Sequence, residues 1–148
     1  MILKGKVRSV NISEKKGVIK EPIEVGIFKE DYGLIGDAHA GKGHRQVSLL
    51  AVESIEKMKQ MGAKGLCNGK FAENITTEGI QLHKIPVGTR LRIGETVQEV
   101  TQIGKECHNG CAIKQQVGQC VMPREGIFTK VLKGGKIKEG DLIEVMEC

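Results

Sequence analysis

Between Val100 and Cys111 the chain reads Val-Thr-Gln-Ile-Gly-Lys-Glu-Cys-His-Asn-Gly-Cys, which brings two thiols (Cys107, Cys111), an imidazole (His108) and an ammonium group (Lys105) close together. A cysteine beside a cation is suited to thiol chemistry, because the thiolate rather than the thiol is the nucleophile and the soft metal ligand. If Ile103 to Cys107 runs extended, Lys105 and Cys107 project from one face about 7 Å apart. At that separation and an effective dielectric of roughly 40, Coulomb's law favours the thiolate by about 1.2 kcal/mol, close to one pKa unit. From an ordinary value of about 8.5, the thiolate fraction at neutral pH rises from a few per cent to roughly a quarter. Full activation needs a further contribution: a bound cation, a protonated His108 or a helix N-terminus aimed at the sulfur. Asn109-Gly110 is a turn dipeptide and sets Cys107 at a strand end. Two other uses stand beside this one. Cysteine packs readily as a small buried hydrophobe. The spacing Cys107-x3-Cys111-x8-Cys120 with His108 could hold zinc, but the second closely spaced cysteine pair of a typical zinc site is missing.

A second polar stretch runs from Asp31 to Gln46 and is rich in glycine. Gly36-x4-Gly41-Lys42 copies most of a phosphate-binding P-loop. Gly43 stands where the magnesium-binding hydroxyl belongs, and Arg45 to Leu50 reads as a strand instead of the helix whose N-terminus would hold the phosphate. Nucleotide hydrolysis is therefore not expected. A glycine-rich loop carrying His39, Lys42, His44 and Arg45 still offers backbone donors and cations to an anionic ligand, its plainer alternative being a solvated loop.

The elements that would position these groups are mostly strands. The 148 residues suit one domain, which at this size buries about 68–70% of its unfolded surface. Twenty glycines and one clear helical segment point to short strands joined by tight turns. Residues 1–10 alternate apolar and basic, Lys15 to Gly17 reads as a hairpin tip, and Val18 to Ile27 resumes extended structure, its charges read as a solvated face. From Ala51, the spacing of Val52, Ile55 and Met58 predicts an amphipathic helix, with Glu53 and Lys57 as an i,i+4 pair and Gly62 as C-cap. Phe71 to Ile80 reads as a short strand in which Asn74 is out of place, Arg90 to Ile93 and Val97 to Ile103 as strands, and Ala112 to Val117 as a helical turn or two. Ile127 to Leu132 is a strand that Gly134-Gly135 turns back toward a closing strand at Leu142 to Val145. The expectation is a mainly β, single-domain distorted barrel over residues 1–148, with one amphipathic helix and short helical turns.

A net charge of +5 favours anionic partners. Nucleic acid is disfavoured, since one tyrosine, three phenylalanines and no tryptophan leave few platforms for base stacking. Five cysteines form an odd set, no secretory leader is read at Met1-Ile2-Leu3-Lys4, and no apolar run reaches the roughly 18 residues of a membrane span. Reduced thiols in the cytoplasm, with no membrane partner, are expected.

Gly36-Asp37, Arg45-Gln46-Val47-Ser48-Leu49, Glu73-Asn74-Ile75-Thr76, Gly88-Thr89-x-Leu91-x-Ile93-Gly94, Lys105-x-Cys107 and Cys120-Val121-Met122-Pro123-Arg124-Glu125-Gly126-Ile127-Phe128 follow one another in an order that resembles the MOSC domain. That family is named for the C-terminal domain of molybdenum cofactor sulfurases, and the likeness, from about Lys4 to Val145, is to its short stand-alone bacterial members. The resemblance implies a barrel of the pyruvate-kinase-barrel kind that binds the molybdenum cofactor (molybdopterin) or a related pterin, with a cysteine that accepts, carries or delivers sulfur. Position by position, it implies Cys107 as the family cysteine and metal ligand, Lys105 as the basic residue before it, and Arg45 and Asn74 as pocket-lining polar residues. The candidate catalytic set is Cys107, Lys105 and His108; the candidate cofactor-binding set is Gly36, His39, Lys42, Arg45, Gln46, Asn74 and Arg124. No pyridoxal-phosphate desulfurase domain is read in the chain. A separate cysteine desulfurase-type sulfur donor and molybdopterin-biosynthesis proteins are therefore the implied partners. The alternatives are a zinc or partner-binding module built on Cys107, Cys111, Cys120 and His108, and a thiol-based redox or detoxification protein.

Overall fold

The computed structural model describes residues 4–15, 19–60, 62, 73–104 and 125–146. Along β1 (Lys4–Ile12), Lys4, Lys6 and Arg8 face solvent and Val7 is buried, as a strand with one covered face requires. The alternation breaks after Ser9, past a bulge between Val7 and Ser9 that shifts the register against β6 (Ile75–Glu78), and Ser9, Val10 and Asn11 are buried in succession. This bulge places two polar side chains inside the molecule beside Thr76, to which the Asn11 Nδ2 donates at 3.0 Å.

Seven strands close into a barrel. Its order is β11 (Leu142–Val145), β7 (Arg90–Ile93), β8 (Thr96–Ile103), β9 (Ile127–Lys133), β5 (Val47–Ala51), β6, β1, and back to β11. All neighbours run antiparallel except β5 and β6, whose parallel pairing requires a crossover. The crossover contains α1 (Val52–Gln60), which buries Ser54, Ile55 and Met58. Gly62, at φ +101°, ends it by donating its amide to the Lys59 carbonyl at 3.0 Å. On the edge that meets β11, β1 continues into a pairing with β2 (Glu21–Ile23) through Val10 to Ile12. A second sheet, β10 (Gly135–Lys138), β3 (Val25–Lys29) and β4 (Gly33–Leu34), packs over Val10, with Phe28, Leu34 and Ile137 buried in the same core. At Gly26 the approach is so close that a Cβ would meet Val10 Cγ1 at 2.7 Å.

The β10 strand was not foreseen. Gly134-Gly135 does not fold β9 back into a hairpin; it carries the chain across to pair with β3 before β11 closes the barrel. The Glu53 and Lys57 pair is also corrected. Lys57 Nζ instead meets both oxygens of Glu125 at 3.0 Å, and Glu53 accepts the Gly79 amide at 3.0 Å. A half-buried carboxylate that also accepts from Ser54 Oγ at 2.6 Å is a better partner than one in open solvent. Burial raises the Glu125 carboxyl, but the Ser54 hydroxyl, Lys57 and the more distant His83 outweigh it and hold it below its usual range. The Lys16-Gly17 tip and the helical turns expected from Ala112 to Val117 lie outside the described residues.

Candidate functional site

The loop from Asp31 to Gln46 leaves the second sheet and crosses to the mouth of the barrel, tied down at several points. Ala38 N donates to Ser13 O at 2.8 Å, Gly41 N to Tyr32 O at 2.7 Å and Asp37 N to Leu34 O at 3.1 Å. Gln46 supplies the last tie. Its Nε2 donates to Asp31 Oδ1 at 2.9 Å and Gly43 O at 3.1 Å, while its Oε1 accepts the Val131 amide at 2.9 Å. Gln46 is thus a buried brace between the loop and β9. Gln46→Leu removes the acceptor for a buried amide and should cost about 1–3 kcal/mol, read as a lower urea midpoint with an unchanged m-value.

Beneath the loop lies a buried polar cluster. Lys20, at 0% side-chain exposure, points its ammonium at Asp37 Oδ1 (2.7 Å), Ser13 Oγ (3.1 Å) and His39 Nδ1 (3.0 Å). Asp37 also accepts the Ser13 amide at 3.0 Å and the His39 amide at 3.1 Å. Burial alone would raise the Asp37 carboxyl; hydrogen bonds from Lys20, the Ser13 amide, Asn74 and the His39 amide prevail and hold it below the ordinary carboxylate range. Asn74 joins this cluster to the barrel. It precedes β6 rather than lying within it. Its Oδ1 accepts from Ser48 N at 3.1 Å and Ser48 Oγ at 3.2 Å, and its Nδ2 donates to Asn11 O at 3.3 Å. The asparagine is out of place for a strand because its side chain ties β5 and β1 together at the start of β6.

Above the loop the cations are exposed. Arg45 Nε and His44 Nε2 share one acceptor, Gln102 Oε1, at 2.9 and 3.0 Å, so His44 donates. The guanidinium lies 5.3 Å from the Phe128 ring centroid. Among the described residues no acceptor engages the Arg45 Nη groups. Thr101 Oγ1 binds the carbonyls of His44 and Phe128, and Gln102 Nε2 donates to Gly104 O at 2.8 Å. Gly104 N in turn donates to Gly126 O at 2.6 Å, and Ile103 pairs with Ile127. Gly104 and Gly126 therefore lie side by side, with Gly104 two residues beyond the side chain that orients Arg45.

Of the sequence-derived candidates, Gly36, His39, Lys42, Arg45, Gln46 and Asn74 share this one region; Lys105, Cys107, His108 and Arg124 lie outside the described residues. Sequence reading missed Lys20, Ser13, Ser48 and Gln102. Lys20 in particular was assigned to a solvated face, and its burial corrects that; the signal was a lysine between Ile19 and a strand, which only a partner 17 residues away makes tolerable. Among the described residues no group of three or more His, Cys, Asp or Glu could hold a metal ion, and no helix is long and apolar enough to cross a membrane. A cavity of about 580 Å³ beside β10 and β11 holds none of the candidates. Its Arg92, Lys136 and Lys138 are offset by Glu95, Asp141 and Glu144, so it offers no net field to an anion.

A family model for the MOSC domain matches residues 36–144, most of the chain and the part of the loop from Gly36 to Gln46. The chain belongs to the MOSC domain family. Its relatives include the uncharacterized protein YflK of Bacillus subtilis (strain 168), 24% identical over 155 residues that span 96% of this chain and 70% of that protein. Among solved structures, the YUAD protein from Bacillus subtilis superposes with a TM-score of 0.75 at 19% identity, covering 97% of this chain and 96% of the other. YiiM from Geobacillus stearothermophilus gives 0.72 at 16% identity, covering 97% and 75%. These likenesses establish the MOSC fold, a barrel with one α-helix among the described residues, and a domain related to molybdenum cofactor sulfurases.

Proposed function

We propose that this MOSC protein binds a phosphate-bearing pterin, the molybdenum cofactor, in the cytoplasm, and that Cys107 carries sulfur or ligates the metal beside it. The single observation that carries this is the Gln102 carboxamide, which orients Arg45 and His44 at the point where the cysteine-bearing segment leaves β8. Cys107 follows Gly104 by three positions, a reach of no more than about 11 Å.

The residues present fit the anionic end of the ligand. A phosphate suits a planar guanidinium whose Nη edge is open, with Lys42 and His44 exposed on the same loop. At Gly41 and Gly43 an added Cβ would meet no described residue within 4 Å, which leaves the loop crest open to a ligand's approach among the described residues. When bound, the cofactor would supply the metal centre. Arg45, Lys42 and His44 would hold its phosphate, and Asn74, Gln46 and Asp37 would keep the loop in place. Sulfur would come from a cysteine desulfurase-type donor.

Expression in a host that makes the cofactor tests this. Protein purified without a tag should carry a fluorescent, phosphate-bearing pterin identifiable by mass, and Arg45→Ala should lower its occupancy at least tenfold, the loss of about 1.4 kcal/mol or more of a charge-assisted bidentate contact. Stoichiometric zinc with no pterin would overturn the proposal in favour of a metal-binding module. A reactive thiol with neither would favour redox or detoxification chemistry.

A further inference from the structure

We propose that Lys20 is a positioning residue that fixes the tautomer of His39, keeping the lone pair on Nδ1 and the proton on Nε2, so that the ring can donate through Nε2 but cannot ligate a metal ion there. A lysine ammonium has three protons and no lone pair. Its three partners, Asp37 Oδ1 at 2.7 Å, Ser13 Oγ at 3.1 Å and His39 Nδ1 at 3.0 Å, use all three protons, and each must accept. Nδ1 therefore carries a lone pair, and the proton of the neutral ring sits on Nε2. The competing arrangement has Nδ1–H donating to Asp37. It fails on distance, because Nδ1 lies 3.9 Å from Asp37 Oδ2, beyond hydrogen-bond range, and would turn a proton toward the ammonium. That oxygen is already taken by the His39 amide at 3.1 Å.

The consequence is selectivity. A protonated Nε2 has no lone pair for a metal, and the nitrogen that has one is committed to Lys20. His39, about one-third exposed, can then only donate through Nε2. The buried pair at Asp37 thus holds the loop in place and also sets the hydrogen-bonding sense of the ring above it. Donation from His39 to a ligand oxygen presupposes the pterin-phosphate function proposed above; the tautomer does not.

Long-range proton–nitrogen correlation spectra of labelled wild-type protein at neutral pH read the tautomer directly, His39 being assigned among the four histidines by its loss in His39→Gln. An Nε2–H ring is expected. An Nδ1–H ring, a mixture of tautomers or an imidazolium would overturn the proposal. In the charge-neutral variant Lys20→Met with Asp37→Asn, the preference should relax to a mixture, whereas a purely structural lysine would change the melting temperature and leave the ring unchanged. Retention of a pure Nε2–H ring in that folded variant would remove the role from Lys20. If the neutral pair does not fold, Lys20→Arg, which still offers only donors, must keep the Nε2–H form, and its loss there overturns the assignment. Titration of the wild type with inorganic phosphate separates the two proposals. A phosphate-dependent shift of the His39 Nε2 signal is expected. An unmoved signal from a ring that is Nε2–H removes the ligand contact of His39 while leaving the positioning role.

Discussion

Asp37→Asn should lower the stability of this MOSC domain by about 3–5 kcal/mol, because it leaves the fully buried Lys20 ammonium without its counter-charge. For a chain of this length that is a fall in melting temperature of roughly 6–20 °C. Lys20→Met should cost a similar amount, about 3–5 kcal/mol, by stranding the carboxylate. The double variant is the informative one. A buried ion pair recovers little more than its own desolvation, so removing both charges should cost less than removing either, and the cycle should be strongly non-additive. Additivity within about 0.5 kcal/mol would show that the two side chains act independently.

The same pair predicts an acid limb. The Asp37 carboxyl sits below its unfolded value, so its contribution is complete above about pH 4, the ordinary aspartate value, and is lost as pH falls through the lowered folded value. Glu125, lowered by Ser54 and Lys57 against the burial that raises it, adds a smaller contribution in the same direction. Urea melts from pH 6 downward should therefore show stability falling only in the acid range, with a shallower fall in Asp37→Asn.

Cys107→Ala should reduce sulfur loading to background. In protein incubated with a cysteine desulfurase and labelled cysteine, the proposed function has the Cys107 thiolate attack the terminal sulfur of the donor persulfide. The donor S–S bond breaks, the donor leaves as a thiolate, and Cys107 holds the new S–S bond, with no net oxidation or reduction. On the proposed function, Lys105 two residues earlier in the sequence would favour the anionic sulfur. Peptide mass spectrometry should place the added sulfur on Cys107, and Cys111→Ala and Cys120→Ala should retain it. Label that survives Cys107→Ala would remove the carrier role.

The structure bears out the barrel, its helix and most of its strands, and these were legible for a local reason. Val7 against Lys6 and Arg8, or Leu91 against Arg90 and Arg92, reports a half-covered strand without knowledge of its neighbour. The short β10 strand was hidden because its burial comes from β3, more than a hundred residues earlier in the chain. The cationic loop was visible as composition; its fixed shape was not, because Gln46 and Asp37 hold it through partners on β9 and near Ser13 that composition does not register.

By itself the sequence determined that this chain is β-rich, carries thiols beside cations and contains a glycine-rich basic loop, because side-chain type and spacing act over a few residues. Only the tertiary structure decided that Lys20 is internal, that Arg45 and His44 share Gln102, and that Gly104 and Gly126 meet beside them. Burial of a charge depends on where the rest of the chain passes, and barrel closure sets that through pairings between residues far apart in sequence.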